Sequence, residues 1–319
     1  MTAIRKLEYS HRRPGELGAH SVDHFNLMVP DLAKAEKFYS SFGLDVKEED
    51  GALSLYAHGN PHRWGMVTEG GRKQLGYVSF GVYEDDLPRF RERLEAQRVQ
   101  RLDPPAGFAS NGLWFRDPDN RLIEIRVAEK CMPDDKAVCA DPQAPAGARG
   151  APYTRNAPRT RPKRLSHVLF FTPDVIKQVR FYRDVVGLRL SDHAGDVIAF
   201  MHAIHGSDHH AIAFAKSDAP GLHHTSWDVG SINAIGVGAM HMAGCGYTQG
   251  WGFGRHVIGS NYFHYVRDPW NSYSEYSADI DYVPVDQDWE AKDHGDEDAL
   301  SLWGPEPPKE FIMNFEAMQ

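Results

Sequence analysis

Hydrophobic and polar positions recur along the chain in one order. The segment VDHFNLMVPDLAKAEKFYSSFGLDV, starting at Val22, has an apolar run with a histidine, a Pro-Asp pair, apolar residues at helical spacing, and Gly-Leu. The segment LSHVLFFTPDVIKQVRFYRDVVGLRL, starting at Leu165, repeats that order. An apolar run predicts a strand, and the Asp of Pro-Asp can cap the helix that follows. The sequence therefore predicts a repeated strand-helix-strand unit.

A second, weaker pair of matching segments follows, with one member in each half of the chain. LGYVSFGVYEDDLPRFRERLEAQ from Leu75 and LHHTSWDVGSINAIGVGAMHMAG from Leu222 again predict a strand, a polar break and a helix. Trp114 and Tyr265 begin segments that share an Arg-Asp-Pro-x-Asn turn and a return strand with a glutamate. We predict an α+β fold of paired βαβββ modules, two modules per domain. A few strands cannot bury both faces alone, so each pair should form a curved sheet cup around a central site.

The length of 319 residues favours two domains, each with its own core. A stretch rich in Pro, Ala, Gly and Arg without hydrophobic period separates the repeats and predicts a connector. The predicted divisions are an N-terminal extension 1–20, an N-terminal metal-free domain 21–130, a linker 131–164, a C-terminal catalytic domain 165–285 and a C-terminal tail 286–319. The tail carries Trp303, Phe311 and Phe315 among prolines and is expected to fold back.

Charge and composition exclude several classes of function. A formal net charge of −9 and a pI near 6.0 argue against binding nucleic acid or an anionic membrane. The polar N-terminus does not resemble a signal peptide, and no apolar run approaches the ~20 residues that span a bilayer. Three irregularly spaced cysteines predict neither disulfides nor a zinc site of the CxxC type. We therefore expect a soluble, cytoplasmic protein.

Candidate chemistry is concentrated in the second half, because 12 of the 17 histidines follow residue 164. Laid over each other, the repeats align His24 with His167, Tyr77 with His224, and Glu124 with Glu275. Two imidazoles and a carboxylate on one face match the facial triad of non-haem iron sites, which leaves positions open for substrate and O2. In the first half Tyr77 stands where the second half has the imidazole of His224. We therefore predict that the first half binds no metal.

A lone histidine on a strand is more often structural than a ligand, and only the joint occurrence in matching places favours a metal site. Strand alternation sends just one of His223 and His224 to the cup face, and local sequence leaves open which one.

The chain resembles the type I extradiol ring-cleaving dioxygenases of the vicinal oxygen chelate superfamily, the group that contains catechol 2,3-dioxygenase. The resemblance extends from about Val22 to Tyr282. The matching motifs are SHVLFFTPD, DHHAIAF, GLHHTSWDV and GRHVIGSNYFHYVRDPWNSYSEY. In this family the second His of the LHH motif binds the metal, which implies His224. One departure is Leu169, which stands where some relatives have Asn.

The resemblance implies a set of site residues. The implied metal ligands are His167, His224 and Glu275, and the implied catalytic residues are His210, His256 and Tyr265. Tyr265 and Glu275 follow His256 by 9 and 19 residues, as in the family.

These roles suit the chemistry. An imidazole such as His210 can exchange a proton with a diol, and His256 and Tyr265 can hydrogen-bond a catecholate oxygen.

Other residues of the second half receive weaker assignments. We expect His209 to face away from His210 on a strand, and Trp251 and Phe253 to form apolar pocket walls. No role is assigned to His202, His205, His241 and His264.

The implied activity is an Fe(II)-dependent extradiol dioxygenase that cleaves a substituted catechol with O2 to a 2-hydroxymuconic semialdehyde type product. Mn(II) can replace iron with this ligand set, and a homo-oligomer is the family expectation. The alternatives are a glyoxalase-like metal isomerase or a hydroquinone dioxygenase of the same superfamily, and a non-enzymatic small-molecule binding protein. His210, His256 and Tyr265 favour the enzyme, because a simple binder needs no proton-transfer group beside a metal.

Overall fold

The computed structural model describes residues 11–318 except 106, 109 and 142. The first half forms a seven-stranded sheet in the order β2-β3-β4-β1-β5-β7-β6. Its strands are β1 (Ser21–Val29), β2 (Asp45–Glu49), β3 (Ala52–Tyr56), β4 (Arg63–Glu69), β5 (Gln74–Val82), β6 (Leu113–Arg116) and β7 (Leu122–Val127). Helix α1 (Leu32–Phe42) follows β1, and helix α2 (Leu87–Ala96) follows β5.

The second half forms a nine-stranded sheet in the order β14-β15-β16-β13-β8-β12-β10-β9-β18, and β11 pairs separately with β17. Its strands are β8 (Arg164–Thr172), β9 (Arg189–Ala194), β10 (Ile198–His202), β11 (Ser207–Asp208), β12 (Ile212–Lys216), β13 (Gly221–Asp228), β14 (Gly250–Arg255), β15 (Tyr262–Arg267), β16 (Tyr273–Ala278), β17 (Tyr282–Val283) and β18 (Lys292–Asp293). Helix α3 (Val175–Phe181) continues into a π-helical turn (Tyr182–Val186), and helix α4 (Ile232–Gly244) follows β13. Short 3-10 turns occupy Glu84–Asp86, Thr154–Asn156, Asp296–Asp298 and Lys309–Ile312.

The repeated module predicted from the sequence is confirmed as the building unit of this α+β fold. In each half the first strands of the two modules, β1 with β5 and β8 with β13, pair antiparallel at the centre of the sheet. Each of these strands also pairs in parallel with the last strand of its own module, as β1 does with β4 and β13 with β16. The second module of the first half differs from the predicted βαβββ order. After α2 it has two full strands, β6 and β7, and a single bridge between Leu102 and Trp114 stands in place of the third strand.

The helix starts follow from the Pro-Asp pairs. The Asp31 carboxylate accepts a hydrogen bond from the Lys34 backbone N–H at 2.9 Å, and Asp174 accepts one from Lys177 at 2.9 Å. Both aspartates therefore cap helices as predicted. Of the positions of α1 predicted to face the core, Ala35, Phe38, Tyr39 and Phe42 are buried, and Leu32 is partly buried.

The two halves share one hydrophobic core, which differs from the expectation of a separate core in each. A single cluster of buried side chains runs through both halves. The rings of Phe42 and Tyr276 stack with centroids 4.0 Å apart, and the Tyr276 hydroxyl donates to the Phe42 carbonyl at 2.8 Å. Phe42 is the last residue of α1 and Tyr276 lies on β16, and α4 packs against both of these elements. The positions of the domain limits stay a prediction. In the described residues no helix is long and apolar enough to cross a membrane.

We expect Phe42→Ala to lower the free energy of unfolding by about 3–5 kcal/mol, because it opens a cavity in a fully buried contact between the halves. Urea unfolding followed by fluorescence and circular dichroism measures this. Both probes should give one shared transition, moved to lower urea. The control Val127→Ala removes a 41% exposed side chain and should change the free energy by less than ~0.5 kcal/mol. Two separate transitions, of which only one moves, would contradict a shared core.

Candidate metal centre

Strand register brings three donor residues to one face of the second sheet. Ser226 of β13 pairs with His167 of β8 on one side and with Glu275 of β16 on the other. Residues that pair across strands share a face, and so do residues two apart on one strand. His224 lies two residues before Ser226 and therefore joins the same face. Separate sequence segments thus converge because three strands are neighbours.

The donor atoms of these residues lie close together in the interior. His167 Nε2 and His224 Nε2 are 3.2 Å apart. The Glu275 Oε2 atom is 3.3 Å from the first of these nitrogens and 3.5 Å from the second. The three side chains are at most 2% exposed. Within the described residues, no further His, Cys, Asp or Glu joins this group at 4.8 Å from every member.

This arrangement fits a divalent metal ion. Glu275 Oε2 accepts no hydrogen bond from the described residues, although it is buried. A buried carboxylate oxygen without a hydrogen bond carries a large desolvation cost unless a cation compensates it. Metal–nitrogen bonds of roughly 2.1 Å place adjacent ligands of an octahedron roughly 3 Å apart, close to the observed spacing. Two imidazoles and one carboxylate leave the remaining positions open.

Asn261 fixes the carboxylate of Glu275. Its side-chain amide donates to Glu275 Oε1 and to the Ser277 hydroxyl, both at 3.1 Å. These bonds hold one carboxylate oxygen and leave Oε2 aimed at the two imidazoles. Asn261 was not among the residues predicted from the sequence, because nothing in its residue type indicates a contact with a glutamate 14 positions later. Only the hairpin register of β15 and β16 brings the two together.

His210, His256 and Tyr265 surround the same centre. The His210 ring lies 4.1 Å from the His167 ring, between centroids. His256 Nε2 is 3.0 Å from the Tyr265 hydroxyl. Burial lowers the pKa of His210 well below its usual value, and the neighbouring histidines lower it further. Burial raises the pKa of Tyr265 well above its usual value, with a further contribution from the charge of Glu275. His210 is therefore neutral and Tyr265 keeps its proton at neutral pH.

These groups line a cavity of about 340 Å³. That volume is typical of a small-molecule site. The walls are mainly apolar, and they include Leu169, Phe171, Phe200, Trp251, Ile258 and Phe311. Trp251 is a wall as expected. Phe253 is not part of the lining, and its ring packs against Tyr262 and Trp303.

The C-terminal tail folds back on the second half and covers part of the cavity. Phe311 is buried against the Trp251 and Tyr265 rings, at 4.6 and 4.8 Å between centroids. The Leu300 carbonyl is hydrogen-bonded to His256 Nδ1. Because a carbonyl can only accept, this nitrogen carries the proton in His256. The tail thus supplies both a wall and a hydrogen-bond partner to the site.

His209 does not line the cavity, as expected, but the assumption that it alternates with His210 on a strand is wrong. His209 lies between β11 and β12, outside any strand, so the alternation of strand side chains does not apply. Its Nδ1 is 3.0 Å from His210 Nδ1, and its Nε2 is 2.8 Å from the Asp192 carboxylate. His209 therefore connects His210 to a buried carboxylate. His202, His205, His241 and His264 are not part of the cavity lining.

The corresponding residues of the first half hydrogen-bond to protein groups. His24 Nε2 is 3.0 Å from the Tyr77 hydroxyl, and Glu124 Oε2 accepts from the Ser79 hydroxyl at 2.6 Å. A second group of donor atoms lies nearby, formed by Asp23, His62 and Cys131. The absence of metal from the first half stays a prediction.

Comparison with known proteins places the chain in a family. The model of the Glyoxalase/Bleomycin resistance protein/Dioxygenase superfamily matches residues 21–125 and 164–276. Metapyrocatechase 2 of Cupriavidus necator is 49% identical over 298 residues, which cover 93% of each chain. A manganese-dependent 2,3-dihydroxybiphenyl 1,2-dioxygenase of Geobacillus genomosp. 3 is 24% identical over 307 residues, covering 89% of this chain and 93% of the relative.

A solved structure shares the fold. The Mn(II)-bound glyoxalase from Novosphingobium aromaticivorans superposes with a TM-score of 0.74 at 23% identity, covering 94% of this chain and 99% of the other. The family recognised from the sequence motifs is confirmed. The chain belongs to the Glyoxalase/Bleomycin resistance protein/Dioxygenase superfamily and, within it, to the extradiol ring-cleaving dioxygenases.

Proposed function

We propose that the protein is an Fe(II)-dependent dioxygenase that opens the ring of a substituted catechol with O2, outside the two hydroxyls, to a 2-hydroxymuconic semialdehyde type product. The observation that carries the proposal is the convergence of His167, His224 and Glu275 on one point beside a mainly apolar cavity. The dihydroxybiphenyl in one relative's name is a catechol with an apolar substituent, which supports this substrate class.

In this proposal His167, His224 and Glu275 hold the metal ion. When bound, such an ion supplies a Lewis acid that lowers the pKa of the catechol hydroxyls and a redox centre for O2. Mn(II) is the alternative to iron, because this donor set separates the two ions weakly. The relative that is named manganese-dependent keeps that alternative open. A homo-oligomer stays a prediction.

His210 is the proposed acid-base group. Its imidazole is neutral, because burial lowers its pKa, and can therefore accept a proton from a catechol hydroxyl. Its Nδ1 faces His209, so Nε2 is the nitrogen left for substrate. The same nitrogen can return the proton later in the reaction.

His256 and Tyr265 are the proposed groups that orient the substrate. Tyr265 keeps its proton because burial raises its pKa. Because His256 carries its proton on Nδ1, the Tyr265 hydroxyl donates to His256 Nε2 before substrate binds. In the proposal Tyr265 turns this proton to a catecholate oxygen when substrate binds. Its position is set by His256 Nε2 at 3.0 Å and by the Trp251 ring, which stacks at 5.7 Å between centroids. These contacts hold the hydroxyl oxygen in place, so that only its proton has to turn when substrate binds.

The cavity favours an apolar substituent on the catechol ring. Away from the triad, the wall is formed by side chains such as Leu169, Phe200 and Ile258. Lys216 also lines the cavity, but its ammonium group is paired with Asp196. A carboxylate substituent would therefore lose water without gaining an unpaired cation in this part of the wall, whereas an alkyl or aryl group would gain by burial.

The proposed activity is tested by reconstituting the protein with Fe(II) without oxygen and then adding a catechol and air. We expect a yellow ring-fission product and the uptake of one O2 per catechol consumed, followed by absorbance and an oxygen electrode. Removal of the metal with a chelator should abolish both signals. Metal binding without turnover of any vicinal diol would favour the glyoxalase-like isomerase.

Alkyl substituents should raise kcat/KM by up to about fourfold for each methylene group that the cavity wall buries. The reason is that burying one methylene group contributes about 0.8 kcal/mol of favourable transfer free energy. The measurement is kcat/KM for catechol, alkylcatechols of increasing length, and a catechol that carries a carboxymethyl group. The carboxymethyl compound serves as the size-matched control and should be the poorest of the substituted substrates. A preference for it would contradict the apolar assignment.

His210→Asn should lower kcat by about 10²–10⁴-fold, because it removes the proton acceptor. Binding of Mn(II), measured by titration of the metal-free protein, should change little, since His210 is not in the proposed ligand set. The matched control is His241→Asn on the exposed side of α4, which should leave kcat unchanged. A near-normal kcat of the His210→Asn variant would contradict the proposed acid-base role of His210.

A further inference from the structure

His223 lies directly behind the proposed metal ligand His224 and contacts it through a ring nitrogen. Nδ1 of His223 is 2.6 Å from Nδ1 of His224. On its other side, Nε2 of His223 is 2.8 Å from the backbone carbonyl oxygen of Phe311. His223 is only 5% exposed. A β-bulge explains the unusual contact between adjacent strand residues, since the register of β13 against β8 shifts between Leu222 and His224.

The positions of the protons follow from these contacts. The Phe311 carbonyl can only accept, so Nε2 of His223 must carry a proton. A neutral His223 then has an unprotonated Nδ1, which can only accept a hydrogen bond from Nδ1–H of His224. With its proton on Nδ1, His224 presents an unprotonated Nε2 to His167 and Glu275. That is the nitrogen a metal ion needs.

The accepting carbonyl is held in place by the anchoring of the tail. The Phe311 backbone N–H donates to the Pro308 carbonyl at 2.9 Å. Farther along, the Asn314 amide donates to the Ala219 carbonyl at 2.7 Å, just before β13. The Glu316 carboxylate pairs with the buried ammonium group of Lys73 in the first half. Before Phe311, the Trp251 indole N–H donates to the Pro305 carbonyl at 2.7 Å. The tail is therefore fixed on both sides of the segment that faces His223.

We propose that His223 and the Phe311 carbonyl together fix the tautomer of His224, with its proton on Nδ1. The tail thereby contributes to metal affinity without touching the metal. This inference rests on the metal site of the proposed function. In it His223 is a positioning residue.

A simpler role for His223 is packing. Its ring lies 4.7 Å from the Phe311 ring and 4.9 Å from the Phe171 ring, between centroids. The two roles make opposite predictions for two substitutions. Leu fills the aromatic surroundings but offers no acceptor, whereas Asn fills them poorly but places an oxygen near the position of Nδ1. A packing role favours Leu, and a proton-fixing role favours Asn.

The experiment is a titration of the metal-free full-length protein with Mn(II), followed by calorimetry or by the electron paramagnetic resonance signal of free Mn(II). We expect His223→Leu to weaken Mn(II) binding by about 10–100-fold, the usual effect of losing a hydrogen-bond partner of a ligand. His223→Asn should stay within a few-fold of the unsubstituted protein. His241→Leu, a histidine outside the cavity lining, is the control and should have no effect.

The order of the Mn(II) affinities of the variants distinguishes the proton-fixing role of His223 from a packing role. The proposal is overturned if His223→Leu binds Mn(II) as well as the unsubstituted protein, or if the Asn variant is as weak as the Leu variant. Should the Leu variant not fold by circular dichroism, His223→Gln takes its place, because its longer amide reaches toward Phe311 and leaves His224 Nδ1 without an acceptor. Failure of the unsubstituted protein to bind Mn(II), or binding unaffected by Glu275→Gln, would instead overturn the metal site itself.

Discussion

The site depends on one constraint, the register in which β8, β13 and β16 pair. Ser226 is opposite both His167 and Glu275, which places an imidazole and a carboxylate on either side of one small residue. A shift of one residue in either pairing would send a donor to the opposite face of the sheet. The register is itself set by the apolar residues of these strands, which must face the helices. The hydrophobic pattern that drives folding therefore also assembles the proposed metal site.

The rest of the molecule supports that sheet from both sides. On the helix side, the halves share a continuous core, with Phe25 and Trp227 in edge-to-face contact at 6.4 Å between centroids. On the open side, the tail covers the cavity and is tied to the first half through Lys73 and Glu316. The first half thus stabilises the second through packing and through the tail. Electrostatic interactions among the buried donor side chains are stronger than they would be in water.

Much of this could be predicted from the sequence, because the informative features are local. The Pro-Asp caps and the apolar runs are each contained in a few neighbouring residues, and the repeat becomes visible when segments of the two halves are aligned. That alignment brought His167, His224 and Glu275 into one set. The features that were missed depend on tertiary contacts. Asn261 meets Glu275 only through a hairpin register, and the shared core requires the two halves to dock. His209 was misjudged because a strand was assumed where the chain is irregular.

The first half shows how few residues distinguish the proposed metal site from an ordinary polar cluster. There Ser79 is opposite His24 and Glu124, the same register that Ser226 has in the second half. Tyr77 occupies the place of His224, and its hydroxyl lies within hydrogen-bond distance of His24. The Ser79 hydroxyl donates to Glu124, whereas the Ser226 hydroxyl has no hydrogen-bond partner among the described residues. At this place in the first half the polar atoms hydrogen-bond to one another, which offsets the cost of their burial. In the second half Glu275 Oε2 receives no hydrogen bond from the part of the chain that the structure describes, and that unmet requirement is the physical reason for proposing a metal ion at this place and not at the matching place in the first half.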